Sequence, residues 1–88
     1  MNAEYYHIVV IDGCPFCDNA RALAQDSEVP HYIEDSTENE EYLTEMKKVL
    51  DHHTVPIVRK VKIRGGEIEV ELIGGFTEFK EHLNIEED

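Results

Sequence analysis

Apolar and polar positions recur along this chain with two different periods, and the changes of period mark its elements. The run from His7 to Ile11, HIVVI, is apolar and rich in β-branched residues, the pattern of a buried strand. After DGC the period lengthens. Phe16, Ala20, Leu23 and Ala24 recur on one face of a helix that ends near Ser27. Pro15 suits its first turn, where a missing N–H has no partner to lose. VPHYIED reads as a short second strand with Pro30 at its start or on an edge, the alternative being a loop with one packed aromatic. STENEEYLTEMKKVLDHH reads as a second helix whose apolar stripe is Leu43, Met46 and Leu50. Thr37 and Glu40 have capping-box spacing, and acidic residues at its start with Lys47 and Lys48 near its end complement the helix dipole.

The strongest strand pattern is PIVRKVKIRGGEIEVELIGG, in which Gly65 and Gly66 divide two alternating runs as a two-residue hairpin turn does. Counting outward from the turn sets Arg64 opposite Glu67, Lys62 opposite Glu69 and Lys60 opposite Glu71. Ile63 meets Ile68 and Val61 meets Val70 on the other face. Each such pair contributes only about 0.2–1 kcal/mol, but a one-residue slip spoils them all, so the register is well determined. The charged face is expected in water and the apolar face against a helix. GGFTEFKEHL then opens a last helix, with Thr77 as cap, Phe76 before it, and Phe79 and Leu83 pointing inward. The order strand, helix, strand, helix, hairpin, helix predicts an α/β fold with a mixed sheet covered by helices.

Length changes this picture little: 88 residues make room for one domain with a modest core, taken as residues 1–88. The net charge of -12, from 20 acidic and 8 basic residues, repels nucleic acid and anionic membrane, so neither is expected as a partner. No apolar segment approaches spanning length. MNAEYYHIVV lacks the basic start and cleavage site of a signal peptide, so a cytoplasmic protein is expected.

The chemistry concentrates at Cys14 and Cys17, the two cysteines of the chain. In a reducing compartment a structural disulfide is disfavoured, and a bridge this short closes too small a loop to stabilise much. At the start of a helix, unpaired N–H groups and the helix dipole favour a thiolate at Cys14. Cys17 lies one turn inside, within reach of the same sulfur. An exposed first thiol that attacks and an inward second thiol that resolves make a dithiol catalyst. A CxxC between a buried strand and a helix carries that reading better than a lone CxxC. A zinc site wants four ligands. His52 and His53 would have to supply two of them, and adjacent histidines diverge more easily than they converge, so no metal is expected.

CPFC, TVP and GGFTEF, in that order, resemble the glutaredoxin family over nearly the whole chain, from about Ile8 to Leu83. The resemblance implies a thioredoxin-like, glutaredoxin-type fold: a β-α-β-α-β-β-α chain with a mixed four-stranded sheet and helices on both faces. It implies a monomeric, glutathione-dependent thiol–disulfide oxidoreductase that reduces protein disulfides and protein–glutathione mixed disulfides. Glutathione is then the co-substrate, and a ribonucleotide reductase is among the candidate electron acceptors. By motif, Cys14 is the nucleophile and Cys17 the resolving thiol. Phe16 flanks the glutathione cysteine, Val55 pairs with it through its backbone, and Pro56 is cis. Gly75, Phe76 and Thr77 lie where the family binds the γ-glutamyl end.

Two features depart from the family pattern. Ile11 stands where the family often has a lysine for the glycyl carboxylate, and Asp12 follows it. Arg21 could offset that charge from the first helix, although a solvated arginine is the plainer reading. The hairpin from Ile57 to Ile73 is also several residues longer than the compact family pattern. Two other functions compete: a redoxin served by a flavoprotein thioredoxin reductase, and a non-enzymatic [2Fe–2S] carrier. Pro15 disfavours the carrier, since dedicated cluster binders of the family usually carry CGFS.

Overall fold

In the computed structural model, which describes residues 2–87, the chain runs β1 (Asn2–Val10), α1 (Pro15–Asp26), β2 (His31–Asp35), α2 (Glu40–Leu50), β3 (Ile57–Arg64), β4 (Glu67–Gly74) and α3 (Phe76–Glu87). The four strands form one sheet in the order β2-β1-β3-β4. β1 pairs parallel with β2 and antiparallel with β3, and β4 closes the hairpin on the outer edge. This is the mixed sheet of the thioredoxin-like, glutaredoxin-type fold. No described helix is long and apolar enough to cross a membrane.

Alternation within β1 and β3 splits the core into two layers. Tyr6, Ile8 and Val10 of β1 and Val58 of β3 face Cys17, Ala20 and Ala24 of α1 and Phe79 and Leu83 of α3. Val9 and Ile57 point the other way, onto Leu43 and Met46 of α2. The HIVVI run is continuously apolar because helices cover both sides of it. On the α2 face a half-buried polar row is centred on the buried His7. The Arg59 guanidinium donates to His7 Nδ1 at 2.8 Å, which leaves the proton on Nε2 to donate to Glu34 at 2.8 Å. Tyr42 also donates to Glu34, at 2.9 Å. Burial, and after it this contact with Glu34, pushes the Tyr42 hydroxyl above its usual pKa.

The hairpin register is the one expected, from Arg64↔Glu67 to Lys60↔Glu71. Gly65 and Gly66 both have positive φ, 56° and 86°, as a two-residue turn of this hand requires. The ends of other elements differ from expectation. β1 begins at Asn2, because the long hairpin offers its first residues a partner: Asn2 pairs with Arg64 and Ala3 with Ile63. Thr37 does not cap α2. Its hydroxyl accepts from the Asp12 N–H at 2.8 Å and donates to Asp35 at 2.5 Å, so the helix starts at Glu40 behind Asn39. It stops at Leu50, short of His53, because Asp51 turns left-handed at φ 50°.

The two faces of the hairpin also correct the sequence reading. Lys60 is buried, with its Nζ 5.7 Å from the centre of the Tyr6 ring and 3.8 Å from Glu4. Arg64 turns to the same Glu4 at 2.7 Å. The apolar face is covered unevenly: Val61 of β3 is buried, but on β4 Ile68 is 67 % exposed and Val70, opposite Val61, 51 %. α2 covers the Val9 and Ile57 end of that face, reaching the start of β3 as far as Arg59, and does not pack on β4.

Candidate active site

β1 ends at Val10, and the chain then turns through Asp12 and Gly13 into α1. Gly13 takes φ 69°, a left-handed conformation that delivers Cys14 to the helix start. Cys14 is the N-cap of α1, with Pro15 as its first helical residue. Its side chain takes the role of a capping oxygen: the Cys17 N–H donates to Cys14 Sγ at 3.2 Å. Cys14 is half-buried and Cys17 fully buried, on the helix face that meets the core. The two cysteines are joined as a disulfide, with their Cα atoms 5.2 Å apart.

The loop between α2 and β3 closes over the sulfurs. The Val55–Pro56 bond is cis, as the resemblance implies, and the Val55 carbonyl oxygen lies 3.8 Å from Cys14 Sγ. Phe16 projects from α1 and is 59 % exposed, and its ring centre is 6.4 Å from that of Phe76 on α3. Between them opens a cleft of about 220 Å3 lined by Phe16, Thr54, Val55, Pro56, Gly75, Phe76, Thr77 and Glu78. All six residues expected at a glutathione site therefore line one cleft beside Cys14, although they come from three separate stretches of chain.

The residues that the sequence reading missed are Thr54 and Glu78. Thr54 precedes the TVP motif's core pair and carried no signal of its own. Glu78 had one: it stands three residues after Gly75, the spacing at which a carboxylate reaches back to an N-cap N–H. The Gly75 N–H donates to Glu78 Oε1 at 3.0 Å, and the Phe79 N–H donates to the Gly75 carbonyl at 3.0 Å. Gly75, and not Thr77, is therefore the cap of α3. Gly74, at φ 129°, lies under the same carboxylate: a Cβ there would come within 2.8 Å of Glu78 Oε1.

Electrostatics around the cleft are acidic. Glu78 lies in the wall, and Asp12, Asp35, Thr37 and Glu38 line a neighbouring hollow. The Thr37 hydroxyl and N–H, and then Arg21, hold the Asp35 carboxyl below its usual range. Arg21 sits 3.8 Å from Asp35, so its charge is directed at that carboxylate. Ile11 packs against both core layers. His53 contacts Asp51 at 3.1 Å and His52 Nε2 lies 3.4 Å from Thr54. Among the described residues no group of three or more His, Cys, Asp or Glu side chains is placed to hold a metal ion.

A half-buried cysteine at a helix N-cap, bonded to a buried one a turn later, can exchange its disulfide with an incoming thiol. Comparison with known proteins agrees with that chemistry. The family model described as Glutaredoxin matches residues 4–65, a span that holds Cys14, Phe16, Cys17, Val55 and Pro56 and stops short of α3. No curated protein matches the chain.

Proposed function

This chain belongs to the glutaredoxin family and has a redox-active cysteine pair, and on that premise we propose that it is a thiol–disulfide oxidoreductase that uses glutathione to reduce protein disulfides and protein–glutathione mixed disulfides. The observation that carries the reading is the position of Cys14 Sγ. It accepts the Cys17 N–H at a helix start and lies 3.8 Å from the carbonyl of Val55, a wall of the cleft that Phe16 and Phe76 also line.

Once the bond is reduced, that N–H and the helix terminus favour the Cys14 thiolate. The thiolate attacks the glutathione sulfur of a mixed disulfide, the protein thiolate leaves, and Cys14 carries glutathione. A second glutathione thiolate attacks the carried glutathione's sulfur, releases oxidised glutathione and restores the Cys14 thiolate. With a protein disulfide, Cys14 attacks one sulfur and Cys17 then attacks Cys14. The second protein thiol departs, and the Cys14–Cys17 disulfide remains for two glutathiones to reduce. Phe16 and Phe76 give the ligand's apolar parts two ring faces. The Val55 backbone offers it main-chain pairing, and the start of α3, with Gly75 and Thr77, receives its γ-glutamyl carboxylate.

A second reading, a redoxin reduced by a flavoprotein thioredoxin reductase, is favoured by one feature. Glu78 already occupies the Gly75 N–H, and with Asp12 nearby and Ile11 in place of a lysine the cleft opposes an anionic tripeptide. Turnover with each reductant separates the two. Disulfide reduction should proceed with glutathione, glutathione reductase and NADPH. Turnover with thioredoxin reductase alone, and none with glutathione, would replace the first reading by the second.

A further inference from the structure

β4 is the outer strand of the sheet, paired on one side only. In a two-residue hairpin the residues flanking the turn form a hydrogen-bonded pair, so Glu67, Glu69 and Glu71 direct their backbone groups to β3. Ile68, Val70 and Leu72 then direct theirs outward. The side chains alternate in the other sense. Glu67, Glu69 and Glu71 lie on one face of the strand and are exposed. Among the described residues they enter no ion pair; Arg64 and Lys60, which stand opposite Glu67 and Glu71, turn to Glu4. Ile68, Val70 and Leu72 lie on the other face at 67, 51 and 37 % exposure. Acidic side chains on an edge strand guard against pairing between copies. Such a guard does not explain why the residues between them are large, apolar and uncovered.

We propose that the free edge of β4 is a docking surface for an extended segment of a partner protein in which basic and aliphatic residues alternate, and that the segment adds to the sheet as a further strand. Each face of β4 dictates half of that pattern. Lysine or arginine on one face meets Glu67, Glu69 and Glu71, and aliphatic residues on the other complete the bare layer of Ile68, Val70 and Leu72. The chain's own β3, with Arg59, Lys60, Val61, Lys62, Ile63 and Arg64, is a sequence of this kind, and it pairs with β4 on the opposite edge in this register. At the Gly74 end, a groove of about 230 Å3 between β4 and α3 sets Glu81 beside Glu71 on the acidic side. A second copy of the chain does not fit. Two β4 strands paired antiparallel about Val70 would set Glu69 directly opposite Glu71 twice, on a chain of net charge -12. The surface stands outside the Cys14 cleft and does not depend on the reductant.

The probe is a capped fluorescent peptide, RKVKIR, titrated into the full chain and followed by anisotropy. Its controls are a peptide of the same composition with the basic residues grouped at one end, and one N-methylated at its valine and isoleucine. The alternating peptide should bind, more weakly as salt rises. Glu69→Lys with Glu71→Lys, and separately Val70→Pro, which removes an outward N–H, should each weaken it at least about tenfold while leaving disulfide exchange unchanged. A glutamate version of the peptide should bind the charge-reversed variant and not the original. Equal binding of the grouped or N-methylated peptide would reduce the effect to general charge attraction and overturn the proposal. So would a chain that sediments as a dimer which the peptide does not dissociate. The N-methylated peptide tests strand pairing without altering the protein, so the answer stands if Val70→Pro does not fold.

Discussion

One sheet carries two regions of opposite character. At the site end, Ile8, Val9 and Val10 of β1 and Ile57 and Val58 of β3 have no exposure at all, with α1 and α3 on one side and α2 on the other. At the hairpin end the same two strands continue with unbroken pairing, yet Ala3 is exposed, Ile63 is half-buried, and the facing β4 is open to solvent along most of its length. The strands form in both places because register and turn chemistry determine them locally. Burial differs because the helices are short: α2 has 11 residues, about 16 Å at 1.5 Å per residue, and its apolar stripe packs on Val9 and Ile57, with Ile11 and Val55 beside them, and on no residue of β4. The covered end holds the cysteine pair, and the open end is left for association.

The largest effect expected lies at the covered end and should leave the open end silent. Cys14→Ser should abolish every exchange reaction, because no alkoxide is present near neutral pH to replace the thiolate. Cys17→Ser should keep removal of glutathione from proteins and lose most reduction of protein disulfides, which needs the resolving thiol. Both variants are to be assayed on both substrates with glutathione as reductant. Loss of deglutathionylation in a folded Cys17→Ser protein would reject the division of roles.

Stability gives the next contrast. Phe79 is fully buried against Tyr6, with ring centres 5.1 Å apart. Phe79→Ala should cost about 3–5 kcal/mol in urea unfolding, and Ile68→Ala within about 0.5 kcal/mol of nothing. A comparable loss for Ile68 would mean that the hairpin face is covered in solution, which would sharpen the case for an occupant.

A smaller effect is expected in the cleft. Ile11→Lys places a cation where an anionic ligand's carboxylate is expected, and the Michaelis constant for glutathione should fall by about two- to fivefold at low salt and less at high salt. Ile11 packs on both core layers, so the same change should lower the unfolding midpoint. An unchanged constant in the folded variant would show that local charge does not set the preference.

The smallest effect belongs to the open end. Hydrogen bonding from Arg64, helped by the charges of Lys60, Lys62 and Arg64, holds the Glu4 carboxyl below its usual range. A carboxyl depressed in the folded state stabilises it above the unfolded value of about 4.3, and that contribution is lost as pH falls through the folded value. The thermal midpoint of the original chain should therefore exceed that of Glu4→Gln near neutrality, and the gap should close on acidification below about pH 4. A gap independent of pH would assign the effect to packing.

Much of this protein was legible in its residues. Local pattern was enough for α1, for the hairpin and its register, and for a cysteine pair at a helix start, because each rests on neighbours in sequence: Pro15 after Cys14, Gly65 and Gly66 between alternating runs. The resemblance carried by CPFC, TVP and GGFTEF named the six cleft residues but could not bring them together. Tertiary structure did that, since Phe16 and Phe76 lie sixty residues apart and meet only when α1 and α3 pack on the same face of the sheet. It also reassigned the polar groups. Thr37 serves Asp12 and Asp35 instead of capping α2, Glu78 takes the Gly75 N–H, and Lys60 and Arg64 leave the glutamates opposite them for Glu4. A polar side chain has several partners within reach of its sequence position, and the one it takes depends on which strands and helices pack beside it. Alternation alone likewise marks a strand's two faces without saying which is covered, and here the reach of α2 left the apolar face of β4 bare.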